Sequence, residues 1–254
     1  MMKHVNGRLV LPLLTIALLL GAGILIPNAR AQRGQRFSEA ELFFELNDTD
    51  GDLGVHASID GEPWTALEIQ GPNGRLVMEI SGRGELRGQG LTQLSFESAE
   101  PSFEDLEPAD FLRRFPEGRY EVKGFPVEGA LLASSVVLSQ VMPAPPENIL
   151  VNRVPAAESC DDPLPTVIAP VLIDWDPVTG SHPEIGKRGP INVSRYQFFV
   201  EREGVKLSLD LPPTVTQFEI PRAVTDLGKE FKFEIIVRTT TGNNTAIESC
   251  FRLP

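Results

Sequence analysis

Short apolar segments separated by turn residues recur along the chain from residue 42 onward. Gly and Pro number 22 each in 254 residues, which indicates many turns that join short strands. Seven strands are predicted in the first half, at residues 42–47, 55–59, 65–70, 76–81, 91–97, 119–124 and 131–140. Strands at this spacing are typical of a β-sandwich, so we predict an all-β fold.

Two local elements of this first domain are predicted individually. Residues 66–70 and 76–80 form a hairpin, because Asn73-Gly74 supplies the backbone angles of a tight reversal. Residues 102–115 form a helical insertion that caps the sandwich. The apolar face of that insertion consists of Leu106, Phe111, Leu112 and Phe115.

The amino-terminal residues have the pattern of a signal peptide. Lys3 and Arg8 precede an apolar run over residues 9–26, and Ala29 and Ala31 form an A-x-A cleavage site. We predict cleavage after Ala31. The alternative is a retained membrane anchor, because the run approaches the length of roughly 18 residues that begins to span a bilayer.

The chain without residues 1–31 is acidic. It retains 20 basic and 35 acidic residues, because the signal peptide contains three basic and no acidic side chains. A surface of this charge repels nucleic acid and anionic lipid. We therefore predict no nucleic-acid partner, and membrane association only if the apolar segment is retained.

The remaining length, about 220 residues, suits two domains of common size. Residues 141–147 contain three prolines, a composition typical of an extended connector. We predict an N-terminal domain at 32–140, a linker at 141–147 and a second domain at 148–254.

Cys160 and Cys250 are the two cysteines of the chain. In an oxidising compartment an even pair predicts a disulfide. The alternative, a pair of metal-binding thiolates, would need histidine neighbours, and the mature chain has only His56 and His182. Together with the signal peptide, the disulfide predicts a secreted or periplasmic location.

Three carboxylates alternate in one short segment, which we call the acidic loop: Asn47-Asp48-Thr49-Asp50-Gly51-Asp52. Alternating oxygen ligands are typical of calcium loops, so Asp48, Asp50 and Asp52 are candidate calcium ligands. The match to an EF-hand is incomplete, because Leu53 stands where glycine is needed and Ile59 where a glutamate is needed. The alternative is a polar turn between two strands.

Two further features have alternative interpretations. Trp64, after Pro63, is either an exposed platform for sugar stacking or a core residue. The segment 179–190 is longer than a tight turn, so it is either a binding loop or a tolerated surface insertion.

The second half has a familiar spacing of core residues. Trp175 and Pro177 follow an apolar segment, Tyr196 opens a later one, and Leu227 precedes Phe233 by six residues. This pattern, over residues 145–254, resembles a fibronectin type III domain. The resemblance implies that Trp175 and Tyr196 fill the core of a sandwich. It departs from the family at Phe233, which stands in place of the usual corner tyrosine.

The predicted architecture is therefore two β-sandwiches in tandem, the first Ig-like with a short helical insertion and the second fibronectin type III-like. No phosphate loop, zinc signature or Ser-His-Asp context is recognisable in the sequence, although carboxylate pairs for glycoside hydrolysis stay open. We predict a non-catalytic binding or adhesion module for a protein or glycan partner, with calcium as its one candidate cofactor. The alternative is a structural spacer or envelope component. The sequence assigns no ligand-binding residues.

Overall fold

The computed structural model describes residues 34–254. The predicted signal peptide, residues 1–31, lies outside them. Strands dominate the described residues and the helices are short, which confirms the predicted all-β fold. No helix in this part of the chain is long and apolar enough to cross a membrane.

The first half of the described chain contains six strands and two short helices. The strands are β1 (Glu39–Asn47), β2 (Asp52–Gln70), β3 (Leu76–Ser81), β4 (Leu91–Glu97), β5 (Gly118–Pro126) and β6 (Leu132–Leu138). The helices are α1 (Gly84–Gln89) and α2 (Pro108–Arg114).

Strand β2 is one strand of 19 residues, where the sequence predicted two. Its first part pairs with β1 and β4, and its second part pairs with β3 and β5. The pairing with β4 shifts register between Asp60 and Trp64, around Pro63, which has no N–H to donate. The strand therefore changes its pairing partners along its length without a turn. The predicted hairpin of β2 with β3 is confirmed.

Trp64 lies in the core of this first sandwich with none of its surface exposed. The interpretation of Trp64 as a core residue is therefore correct. Helix α2 covers the same core through Phe111 and Leu112, and Leu106 and Phe115 pack beside them, so the four predicted apolar residues do reach the core. The helix is shorter than the insertion predicted at 102–115, because residues 102–107 form turns and Leu106 precedes the helix.

The second half contains ten further strands and one short helix. The strands are β7 (Val141–Pro143), β8 (Leu150–Val151), β9 (Val154–Pro155), β10 (Val171–Asp174), β11 (Ser181–Gly186), β12 (Val193–Arg202), β13 (Val205–Leu211), β14 (Gln217–Ile220), β15 (Glu230–Thr239) and β16 (Asn244–Arg252). The helix is α3 (Arg222–Thr225).

A second core lies between the sheet β14-β10-β8-β9 and the strands β13-β12-β15-β16. Trp175 and Tyr196 meet there edge to face, with ring centroids 5.5 Å apart. Phe233 is fully buried in the same core, whereas Leu227 is 44% exposed. Cys160 and Cys250 form a disulfide, as the sequence predicted, with their Cα atoms 5.0 Å apart.

The two halves share one sheet. Strand β1 pairs in parallel with β16, which gives the continuous order β13-β12-β15-β16-β1-β2-β5-β6. The proline-rich segment takes part in the packing, because β7 pairs with β11 and Met142 is fully buried against the first core. The division into separate domains at 141–147 stays a prediction.

Buried polar side chains reinforce this junction. Asn243 is fully buried; its Oδ1 accepts a hydrogen bond from the Phe44 N–H at 3.0 Å, and its Nδ2 donates to the carbonyls of Ser139 and Val141 at 2.8 and 3.0 Å. The Thr245 hydroxyl donates to the Pro143 carbonyl at 2.8 Å. Asn243 thus satisfies polar groups of Phe44 and Ser139 in the first half, and Asn243 and Thr245 fix the carbonyls of β7 beside them.

Candidate functional site

The acidic loop is a tight turn between β1 and β2. Asn47 Oδ1 accepts hydrogen bonds from the N–H groups of Thr49 and Asp50 at 3.1 and 3.2 Å, and Gly51 adopts a φ of +66°. Asn47 Nδ2 donates to the Asp50 carboxylate at 3.1 Å. These contacts are those of a side-chain-stabilised turn. Calcium binding by Asp48, Asp50 and Asp52 stays a prediction.

Asp48 contacts the second half of the chain. Its Oδ1 lies 2.9 Å from Nε2 of His182, whose side chain is only 5% exposed. His182 Nδ1 accepts hydrogen bonds from the N–H groups of Glu184 and Ile185 at 3.1 and 2.9 Å, so the ring proton is on Nε2 and is donated to Asp48. One of the three candidate calcium ligands is thus engaged by a buried histidine.

The segment 179–190, which contains His182, folds onto the first half. Its strand β11 pairs with β7, and Lys187 Nζ lies 2.6 Å from a carboxylate oxygen of Glu117. The Lys187 N–H donates to the Gln140 carbonyl at 2.7 Å. The segment therefore connects the two halves, a role that neither sequence interpretation anticipated.

Alternate residues of the shared sheet point away from both cores, and together they form what we call the polar face. On strands β12, β15, β16, β1 and β2 this face includes Phe199, Glu234, Glu248, Glu45, Phe43 and His56. Because β1 pairs with β16, the face continues from one half to the other.

Like charges are crowded at the centre of the polar face. Glu234 and Glu248 are directly opposite each other on β15 and β16. Burial, followed by the charges of Glu248 and Glu45, raises the pKa of Glu234 to about 7. Lys232 forms an ion pair with Glu248, and the positive charges of Lys206 and Lys232 offset part of the rise in the pKa of Glu234.

A second group of polar side chains lies at the β2 end of the face. His56 on β2 is paired across the sheet with Glu97 on β4, and His56 Nε2 lies 2.9 Å from Glu100 Oε1. One ligand atom from each of these three residues lies within 4.8 Å of the others. Among residues 34–254, His56, Glu97 and Glu100 are the one group of three or more metal-ligating side chains whose ligand atoms converge. The three aspartates of the acidic loop do not form such a group.

Negative charge accumulates around this group. Burial raises the pKa of Glu100, and the charge of Glu97 acts in the same direction. Burial, followed by the charges of Glu100 and Asp50, raises the pKa of Asp52 to about 6. The negative charge of Glu100 thus acts on Asp52 of the acidic loop.

Glu97 and Glu100 were not predicted as site residues. They follow His56 by more than forty positions and belong to no local motif. The pairing of β4 with β2 brings them together, and the sequence carries no spacing signal for that pairing.

Comparison with known proteins gives a distant likeness. No family model matches the chain, and no curated protein matches it. The solved FN1–FN3 domains of chicken CNTN1 are 10% identical with a TM-score of 0.35, and the match covers 86% of this chain and 65% of that one. A two-domain fibronectin type III segment of chicken tenascin is 12% identical with a TM-score of 0.30, covering 86% and 99%. A bacterial ice-binding adhesin is 11% identical with a TM-score of 0.25, covering 86% and 65%.

These similar structures cover most of the chain, whereas the sequence resemblance was limited to its second half. At such identities and TM-scores they carry no argument about function. The sandwich architecture described above rests on the strand pairing itself.

Proposed function

We propose that this protein is an exported, non-catalytic binding or adhesion module that recognises a protein or glycan partner outside the cytoplasm. The disulfide between Cys160 and Cys250 is consistent with an oxidising compartment. Within this proposal, residues 145–254 are a fibronectin type III-like domain. The strand order β13-β12-β15-β16 opposite β14-β10-β8, with Trp175 and Tyr196 between the sheets, supports that assignment.

The observation that carries the binding proposal is the polar face. Its carboxylates Glu234, Glu248 and Glu45 lie on three neighbouring strands, and the negative charges of Glu248 and Glu45 add to burial in raising the pKa of Glu234. A positively charged group of a partner would relieve this repulsion. The proposed partner is therefore a basic segment of another protein, and a neutral glycan is the second possibility within the same function.

A binding measurement tests the proposal. A fluorescent octalysine peptide is titrated with the purified protein at low and moderate salt, and its anisotropy is measured. We expect saturable binding that weakens with salt and is lost in the double variant Glu234→Gln/Glu248→Gln. The matched control is Glu62→Gln/Glu128→Gln, which removes the same charge from exposed positions outside the polar face. Binding that is equal in both double variants would contradict a role for the polar face.

The second candidate function is a structural spacer. The interlocking of the two halves through β1–β16 pairing and buried Asn243 favours it, because such a junction resists bending. Screening against a panel of immobilised neutral glycans separates the two functions. Failure of both the peptide and the glycans to bind would favour the spacer.

A further inference from the structure

We propose that His56, Glu97 and Glu100 form a binding site for a divalent transition-metal ion, with Zn²⁺ as the preferred ion. One imidazole nitrogen and two carboxylate oxygens are ligands that zinc accepts. Ligand atoms around a tetrahedral zinc ion lie about 3.3 Å apart, given bonds of about 2.0 Å. His56 Nε2 and Glu100 Oε1 are 2.9 Å apart, and one ligand atom from each of the three residues lies within 4.8 Å of the other two.

The backbone holds the segment that carries both glutamates. The Ser98 N–H donates to the Val55 carbonyl, and the Val55 N–H donates to the Ser98 hydroxyl, both at 3.0 Å. Beyond Glu100, the Phe103 N–H donates to the Gly51 carbonyl at 2.8 Å. The residues on either side of Glu100 are therefore attached to β2 or to the turn that precedes it, so little ordering is required when an ion binds.

Glycine at position 54 makes room for the Glu100 carboxylate. A Cβ at Gly54 would lie 2.1 Å from Glu100 Oε1, a distance that no real contact adopts. The carboxylate thus lies over the backbone of β2 in a cradle that a side chain would fill. This placement brings it to His56, two residues further along the strand.

The histidine ring is also positioned. It stacks on Phe43, with ring centroids 5.5 Å apart and an interplanar angle of 26°. The carboxylates of Asp52 and Glu45 add negative charge near Glu100 without forming part of the converging group. A bound cation would offset this charge. The imidazole ligand favours a transition metal over calcium, which prefers oxygen ligands alone.

Isothermal titration of the purified protein with zinc sulfate tests the proposal. We expect one ion per chain, with the dissociation constant raised at least tenfold in each of His56→Gln, Glu97→Gln and Glu100→Gln. Glu62→Gln, an exposed carboxylate outside the group, is the control and should bind as the wild type does. Glu97 is exposed, so its variant is expected to keep the wild-type unfolding midpoint in chelator and thereby exclude misfolding as the cause.

Each of the following results would overturn the proposal. They are the absence of saturable zinc binding, binding that changes less than twofold in all three variants, and binding that is lost instead on replacement of Asp48 and Asp50 by Asn. Competition by equimolar calcium would likewise contradict a site with a nitrogen ligand. The octalysine titration is run in chelator, so the proposed function and the metal site succeed or fail independently.

Discussion

Replacing Asn243 with Ala tests whether the two halves unfold as one unit. The substitution removes the partner of two buried groups, the Phe44 N–H and the Ser139 carbonyl, and of the partly buried Val141 carbonyl. An unsatisfied buried group costs about 1–3 kcal/mol, so the low end gives a loss of about 3 kcal/mol. Asn192→Ala, at an exposed position, is the control and should change stability by less than about 0.5 kcal/mol.

Urea unfolding followed by tryptophan fluorescence measures this loss in each half. The chain has two tryptophans, Trp64 in the first core and Trp175 in the second. The backgrounds Trp64→Phe and Trp175→Phe therefore report on one core at a time. For a slope of about 2–3 kcal/mol per molar urea, we expect both midpoints to fall by about 1–1.5 M.

Two results would refute the reasoning. A change below about 0.5 kcal/mol in Asn243→Ala would mean that its hydrogen bonds do not hold the junction. A midpoint that shifts in only one tryptophan background would mean that the halves unfold separately, despite the continuous sheet.

Replacing both Cys160 and Cys250 with Ala opens a loop that the disulfide closes across 90 residues, and it should lower the free energy of unfolding by on the order of 4 kcal/mol. Urea unfolding followed by the fluorescence of Trp175 measures this loss, and an unchanged midpoint would contradict it. The pKa of Glu234 is raised to about 7 from its ordinary 4.5, so the folded state keeps a proton that the unfolded state releases between these values. Stability therefore falls as pH rises through that window, by about 3 kcal/mol at most, and Glu234→Gln should flatten the profile while Glu62→Gln leaves it sloping. If the acidic loop binds calcium, calcium should raise the thermal midpoint relative to chelator, and replacing its three aspartates by Asn should abolish the rise; equal midpoints in calcium and chelator would reduce the loop to a turn.

Local patterns in the sequence were enough to predict most strands, the β2–β3 hairpin, the presence of helix α2 and the pairing of the two cysteines. The strands, the hairpin and the helix depend on residues close together in the sequence, and the disulfide could be predicted because the chain has only two cysteines. The core positions of Trp175 and Tyr196, by contrast, were implied by the resemblance of their spacing to a fibronectin type III domain, and both side chains are buried in the second core.

The features that organise the candidate sites depend instead on contacts between distant residues. Asp48 meets His182 across 134 positions, and β1 pairs in parallel with β16 at the other end of the chain. Neither the parallel pairing of β1 with β16 nor the contact of Asp48 with His182 has a local sequence signature, because the packing of whole sheets decides which distant residues meet. The same holds for Glu97 and Glu100, which reach His56 because β4 pairs with the first part of β2.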